Sequence, residues 1–248
     1  MTLLLFVSPV FAEIPPVNLN VIVSGKVKDT IVTLIGYTSP SAFVTVQEDG
    51  NVVATFSANN SGGFNRSIGA RTAGTHTYNM FATDGQNRTT LSYGFVLNLV
   101  DKTETIVSNI LLPTTIDVSV AQRVNVSGSA TPNSQITIFI HSDPVIETLS
   151  VGSSGNWSRN VVARLSRGDH RVYARVTLPG GLQSINSQSL NFSINCKTAD
   201  LNCDGRVDLG DFSTLMHYWG TNNSLADINS DGIVDLADFS TMMHYWDG

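Results

Sequence analysis

The sequence predicts a mainly β chain with a small α module at its carboxyl end: two tandem β-sandwiches followed by a duplicated loop–helix unit. Three observations support this. The residues up to Asn195 are rich in Val, Ile, Thr, Ser and Asn, and they alternate apolar with polar side chains, the period-two signature of half-buried strands. That stretch repeats itself at an offset of 92 residues, and about ninety residues make one sandwich domain. The carboxyl-terminal segment repeats at a shorter offset, 27, and there the apolar period becomes that of a helix.

At the amino terminus, Leu3-Leu4-Leu5-Phe6-Val7 is a short apolar run followed by Ser8-Pro9-Val10-Phe11-Ala12. Val10 and Ala12 suit cleavage after Ala12, so residues 1–12 read as a signal peptide lacking its basic end, with a buried amino-terminal strand as the alternative. Pro15-Pro16 immediately beyond favours the leader. The run is too short to span a bilayer as a helix, and no other stretch is apolar enough to anchor the chain. The chain is therefore expected to be secreted or extracellular, with association at a cell surface as the alternative.

The sandwiches are expected at 17–100 and 104–195, with boundaries near Asp101 to Glu104 and at Asn195 to Thr198. Their clearest strands are Ala42–Val46, Thr77–Ala82, Gln135–Ile140 and Arg171–Val176. Gly36-Tyr37-Thr38-Ser39-Pro40 matches Gly128-Ser129-Ala130-Thr131-Pro132. Ser61-Gly62-Gly63-Phe64 matches Ser153-Ser154-Gly155-Asn156-Trp157, and Gly74-Thr75-His76 matches Gly168-Asp169-His170. Taken together, these motifs resemble bacterial Ig-like modules of surface and secreted proteins. His76 and His170 fall after equivalent turn glycines and are read as structural, and Trp157 as a core residue. No G-x-S-x-G elbow, H-E-x-x-H helix or phosphate-cradling loop is present. A glycosidase pair would have to be drawn from the scattered turn carboxylates Glu48, Asp49, Asp84 and Glu147, so no enzyme is expected. A polysaccharide-binding sandwich would show exposed aromatics in a row, and no sequence run displays them clearly.

Cys196 and Cys203 flank the entrance to the last module. An even cysteine count in an exported chain favours a disulfide, with two free thiols as the alternative. Two thiols without a partnering His make a poor zinc site.

The first loop of that module runs Asp200, Asn202, Asp204, Gly205, Asp208, Asp211, and the second Asp227, Asn229, Asp231, Gly232, Asp235, Asp238. Alternating oxygen side chains around a glycine turn suit Ca²⁺, and the absence of His and Cys from the set disfavours Zn²⁺. From Asp200 onward the chain holds nine acidic residues and one basic, a net −8 within a total of −6, so the rest sums to +2. Acidity thus belongs to the loops, and nothing resembles a basic nucleic-acid footprint. Each loop feeds a matching segment, Phe212–Trp219 and Phe239–Trp246. Phe212, Leu215, Met216 and Trp219 fall at helical spacing and are read as core, with Gly220 and Gly248 as stops. His217, Tyr218, His244 and Tyr245 fall off that stripe and are candidate contact residues.

At these residues the chain resembles the dockerin domain, the calcium-dependent plug that binds cohesin domains in cellulosomes and other secreted assemblies. The resemblance covers roughly Ala199 to Gly248. It implies two Ca²⁺ ions, the first held by Asp200, Asn202, Asp204, the carbonyl of Arg206, Asp208 and Asp211. The second would be held by Asp227, Asn229, Asp231, the carbonyl of Ile233, Asp235 and Asp238. It also implies a cohesin-like partner and an approximate two-fold module that either helix could present. Dockerins often place small hydroxyl residues just before the closing Asp; here Leu209-Gly210 and Leu236-Ala237 stand instead, making Leu209 and Leu236 candidate apolar anchors. The expected function is a secreted non-catalytic modular protein with Ig-like spacers. The alternatives are a carbohydrate-binding component of a polysaccharide-degrading system and a structural surface protein clasped by its own module.

Overall fold

The computed structural model describes residues 19–247 apart from 121–122, 142–143, 163–164, 166–167 and 197, so the expected leader lies outside the described residues. The first sandwich comprises β1 (Asn20–Lys26), β2 (Thr30–Tyr37), β3 (Phe43–Glu48), β4 (Asn51–Ser57), β5 (Gly63–Arg71), β6 (Gly74–Thr83), β7 (Tyr93–Leu99) and β8 (Thr103–Leu111). Its two sheets are ordered β1-β8-β2-β5 and β4-β3-β6-β7. Alternation puts Val32 and Leu34 of β2, Val44 and Val46 of β3, and Tyr78, Met80 and Ala82 of β6 into one fully buried core between them.

Strand β8 corrects the expected boundary. Asp101-Lys102-Thr103-Glu104 reads as a polar linker, yet Lys102 is a turn residue at φ +54°, whose amide bonds to Thr30 Oγ1 at 2.9 Å. The chain then runs parallel to β2, pairing Ile31 with Glu104 through Tyr37 with Leu111. The first sandwich therefore extends to Leu111, seven residues past the charge run. A parallel partner seventy residues distant leaves no local mark in the sequence.

The second sandwich comprises β9 (Asp117–Val120), β10 (Val124–Ser129), β11 (Gln135–His141), β12 (Val145–Ser150), β13 (Asn156–Asn160), β14 (Gly168–Thr177) and β15 (Leu190–Ile194). Its sheets are ordered β13-β10-β9 and β12-β11-β14-β15. Ile136, Ile138, Ile140, Val172, Ala174 and Val176 alternate into the core with Trp157, whose Nε1 donates to Thr114 Oγ1 at 2.7 Å. The repeated glycine and the repeated aromatic prove to be one contact. Gly36 pairs with Phe64 and Gly128 with Trp157; a Cβ on either glycine would lie 2.7 or 2.6 Å from the facing ring. His170 is buried and stacked on Phe192, while His76 Nδ1 lies 2.8 Å from Asp49 Oδ2.

The two sandwiches are joined through the repeated motif itself. Ile110 and Leu112 enter the first core and Leu111 the second. Thr131 Oγ1 donates to the Thr38 carbonyl at 3.0 Å across the joint. Gly62 of the first repeat faces Pro132 of the second, and the equivalent Gly155 faces Pro40, so the contact is reciprocal. A Cβ on Gly155 would sit 2.3 Å from Pro40 Cδ, at a residue whose φ of +76° already disfavours a side chain. Gly155→Ala is expected to destabilise the pair by at least the ~1–3 kcal/mol of left-handed strain. Gly152→Ala, in open space, should stay near wild type in the same denaturant titration.

A buried carboxylate reinforces the joint. Asp84 is desolvated, which raises its pKa, but donors from Thr115, the Arg88 and Gln86 amides and the Arg88 guanidinium outweigh that and hold it below the usual range. Thr115 Oγ1 reaches it at 2.7 Å from the second sandwich and Arg88 Nε at 2.8 Å from the first. A carboxylate depressed in the folded state contributes stability above its unfolded pKa of about 4 and loses it as pH falls through the folded value. Thermal unfolding should show that acid loss, and Asp84→Asn should remove it.

Candidate calcium loops and docking face

Each loop ends in a helix that its own carboxylates start. Helix α1 (Leu209–His217) is capped by Asp208, which accepts from Gly210 N at 2.8 Å, while Asp211 Oδ2 accepts from Asp208 N at 2.9 Å. Helix α2 (Leu236–His244) repeats this with Asp235 and Asp238 at 2.8 Å in both bonds. This is a capping box closed by Asp, so the last two acids of each loop fix its exit and the helix entry together. The loop bodies fold around their first acids. Asp200 accepts from the Asp204 and Gly205 amides at 3.2 and 3.0 Å, and Asp227 from Asp231 and Gly232 at 3.1 and 2.9 Å. Asn202 and Asn229 accept from the same Asp204 and Asp231 amides. Gly205 and Gly232 adopt φ +93° and +98°, the left-handed turn that needs glycine. Arg206 and Ile233 take the seventh position, their amides bound to Asp204 and Asp231 Oδ1.

The donor chemistry fits a hard cation. In the second loop, carboxylate oxygens of Asp227, Asp231 and Asp238 lie within 4.8 Å of one another, and among the described residues this is the one such trio. Asp211 and Asp238 are fully buried and Asp200 nearly so. Burial, with the charges of Asp211 and Asp204 beside it, pushes the Asp200 carboxyl up against the opposing amide bonds. Such clusters repel themselves unless a cation of oxygen preference neutralises them.

Behind the loops is a small core of Ala199, Leu201, Val207, Leu215, Ala226, Val234 and Met242. It is closed reciprocally: Val207 exchanges bonds with Asp247 after α2, each at 2.9 Å. Val234 does the same with Gly220 and Thr221 after α1, each at 2.8 Å. The predicted Phe-Leu-Met-Trp stripe is corrected here. Leu215 is buried and Phe212 half-buried, its ring 5.4 Å from that of Phe239, but Met216 and Trp219 are exposed. Both helices stop at the histidine after nine residues, so the tryptophans lie beyond them. Tyr218 is half-buried against the core, whereas His217, His244 and Tyr245 are exposed. Leu209 and Leu236, 72% and 65% exposed, share a helix face with Met216 and Met243, seven residues on. The two methionines were missed as contact candidates; their i+7 spacing from those leucines was the available signal.

The cysteines form a disulfide, Cys196–Cys203. It ties the fourth position of the first loop, at φ +57°, to the segment leaving β15; Ser230 takes the same position, unbridged, in the second loop.

A paired acidic-loop–helix unit of this form belongs to the EF-hand-like class. Residues 198–247 are a dockerin type I domain. No curated protein matches the chain. Among solved structures, it is similar to the BSP domain of a biofilm associated protein, at 21% identity over 67% of this chain and 28% of that one, TM-score 0.28. A tetra-tandem repeat from the extending region of a large adhesion protein matches at 21% identity over 66% and 49%, TM-score 0.29. Fibronectin(III)-like modules of Clostridium thermocellum CbhA match at 9% identity over 70% and 93%, TM-score 0.24. The chain thus spans about a quarter of the length of the first of these.

Proposed function

We propose that this is a secreted, non-catalytic modular protein that docks through its carboxyl-terminal dockerin domain to a cohesin-type partner, the two sandwiches serving as a spacer. Dockerin domains as a family bind calcium and cohesins; the finer reading for this chain is two ions and two equivalent faces. The observation that supports it best is the duplication carried into three dimensions. Both loops bury their closing acid, Asp211 or Asp238, both cap a nine-residue helix, and both helices expose the same Leu and Met pair. The ions would be held by the loop carboxylates and by the side-chain oxygens of Asn202 and Asn229, with the Arg206 and Ile233 carbonyls completing the sets. Bound there, calcium supplies neutralising charge to the loops. The loops hold the helix starts, and the helices hold the leucines and methionines outward. No helix among the described residues is long and apolar enough to cross a membrane. A pull-down of cohesin-type domains with and without chelator tests this reading; capture that persists in chelator would overturn it.

A further inference from the structure

The two sandwiches differ at one edge. In the second, Arg159 of β13 and Glu147 of β12 bridge the two sheets in an ion pair, and Glu147 also accepts from Val162 N at 2.8 Å. Strand register identifies the equivalents in the first sandwich. Arg159 pairs with Val126 as Arg66 pairs with Leu34, and Glu147 pairs with Ile138 as Ala54 pairs with Val46. The arginine is therefore kept, and its acid is replaced by alanine. Without that bridge, the edge between β4 and β5 is open as two hollows of about 450 and 470 Å³ that share Arg66. The side chain of Arg66 is exposed and has no hydrogen-bond or ion-pair partner among the described residues. Arg71, the other cation of the lining, is bound to Glu48 at 2.6 Å, and no carboxylate lines either hollow. The larger hollow adds the rings of Tyr37, 43% exposed, and of Phe56, tilted 53° against Phe64, with the amide of Asn65 at its rim.

We propose that this groove binds an anionic polysaccharide, a chain of sugar rings bearing carboxylate or sulfate groups. Two features select that occupant. A planar guanidinium with no partner, in a lining free of acids, is complementary to an oxyanion and can bind it bidentately. Exposed and half-buried rings beside polar amides and hydroxyls offer apolar faces to pyranose C–H groups while the sugar hydroxyls find donors and acceptors. Charge does not oppose the approach, because residues 19–111 hold six basic and six acidic side chains. This site is independent of the dockerin reading, which concerns the other end of the chain.

The test uses the whole chain in excess chelator, so the acidic loops play no part and the docking proposal is not at stake. Calorimetric or fluorescence titration should detect soluble galacturonate oligomers, a sulfated galactan, or both, with affinity falling as salt rises, and little binding of neutral galactan oligomers of equal length. Binding of one anionic glycan and not the other would name the source of the charge. Arg66→Ala and Tyr37→Ala should each weaken binding at least tenfold. Ala54→Glu rebuilds the bridge of the second sandwich, so it should abolish binding while the melting temperature holds or rises. Failure to bind either anionic glycan would overturn the proposal, as would binding that ignores Arg66→Ala. Equal affinity for polyglutamate, undiminished by Tyr37→Ala, would make the groove a peptide site and overturn it too.

Discussion

Replacing Leu209, Met216, Leu236 and Met243 together by Ala is expected to abolish capture of a cohesin-type domain while calcium affinity stays intact. Replacing either helix's pair alone should weaken capture only about twofold, the loss of one of two equal orientations, RT ln 2 or about 0.4 kcal/mol. The reason is positional. All four side chains are 45% exposed or more, and none belongs to the module's buried core, so removing them leaves Leu215 and Met242 packed as before. Leu209 and Leu236 follow directly on the capping acids Asp208 and Asp235, but their side chains are exposed and supply no oxygen to the loops, which is why metal binding should not change. Complete loss from one pair would show a one-sided interface. Retained binding in the fourfold variant would move the contact elsewhere, to His217, His244 or Tyr245 first.

Chelation should have the second large effect: residues 198–247 lose their helices while the sandwiches stay folded. Seven buried side chains, two of them Ala, form too small a core to hold two nine-residue helices unaided. Against this stand the mutually repelling Asp227, Asp231 and Asp238 and the desolvated Asp200. A ligand that binds only the folded form at a thousandfold excess over its dissociation constant contributes about 4 kcal/mol, comparable to the whole stability of so small a unit. Circular dichroism in chelator should therefore lose its helical part with the β signal unchanged. Reduction of Cys196–Cys203 should lower the calcium affinity of the first loop more than that of the second, which has no bridge.

Much of this was legible in the sequence because it is local. Loop acids at fixed spacing, a glycine at the sixth position, and strands such as Gln135–Ile140 declare themselves within a dozen residues. What stayed hidden depends on distant pairing. The polar run at Asp101 looked like a linker because its partner, β2, lies some seventy residues earlier. The purpose of Gly62 and Gly155 lay across a domain joint, against prolines of the other repeat. Arg66 and Arg159 look alike along the chain, and only the register of β4 and β12 shows that one has its acid and the other an alanine. The helix stripe was misphased for a different reason. Spacing alone makes Met216 and Trp219 follow Phe212 inward, but the helix ends at His217 and so short an element buries one narrow face.

Calorimetric titration of the metal-free chain with calcium tests the central claim most directly. Two ions per chain are expected, falling to one in Asp200→Ala and one in Asp227→Ala, with helix appearing as the sites fill. A stoichiometry below two in the unmodified chain, or full helicity before any calcium is added, would contradict the account.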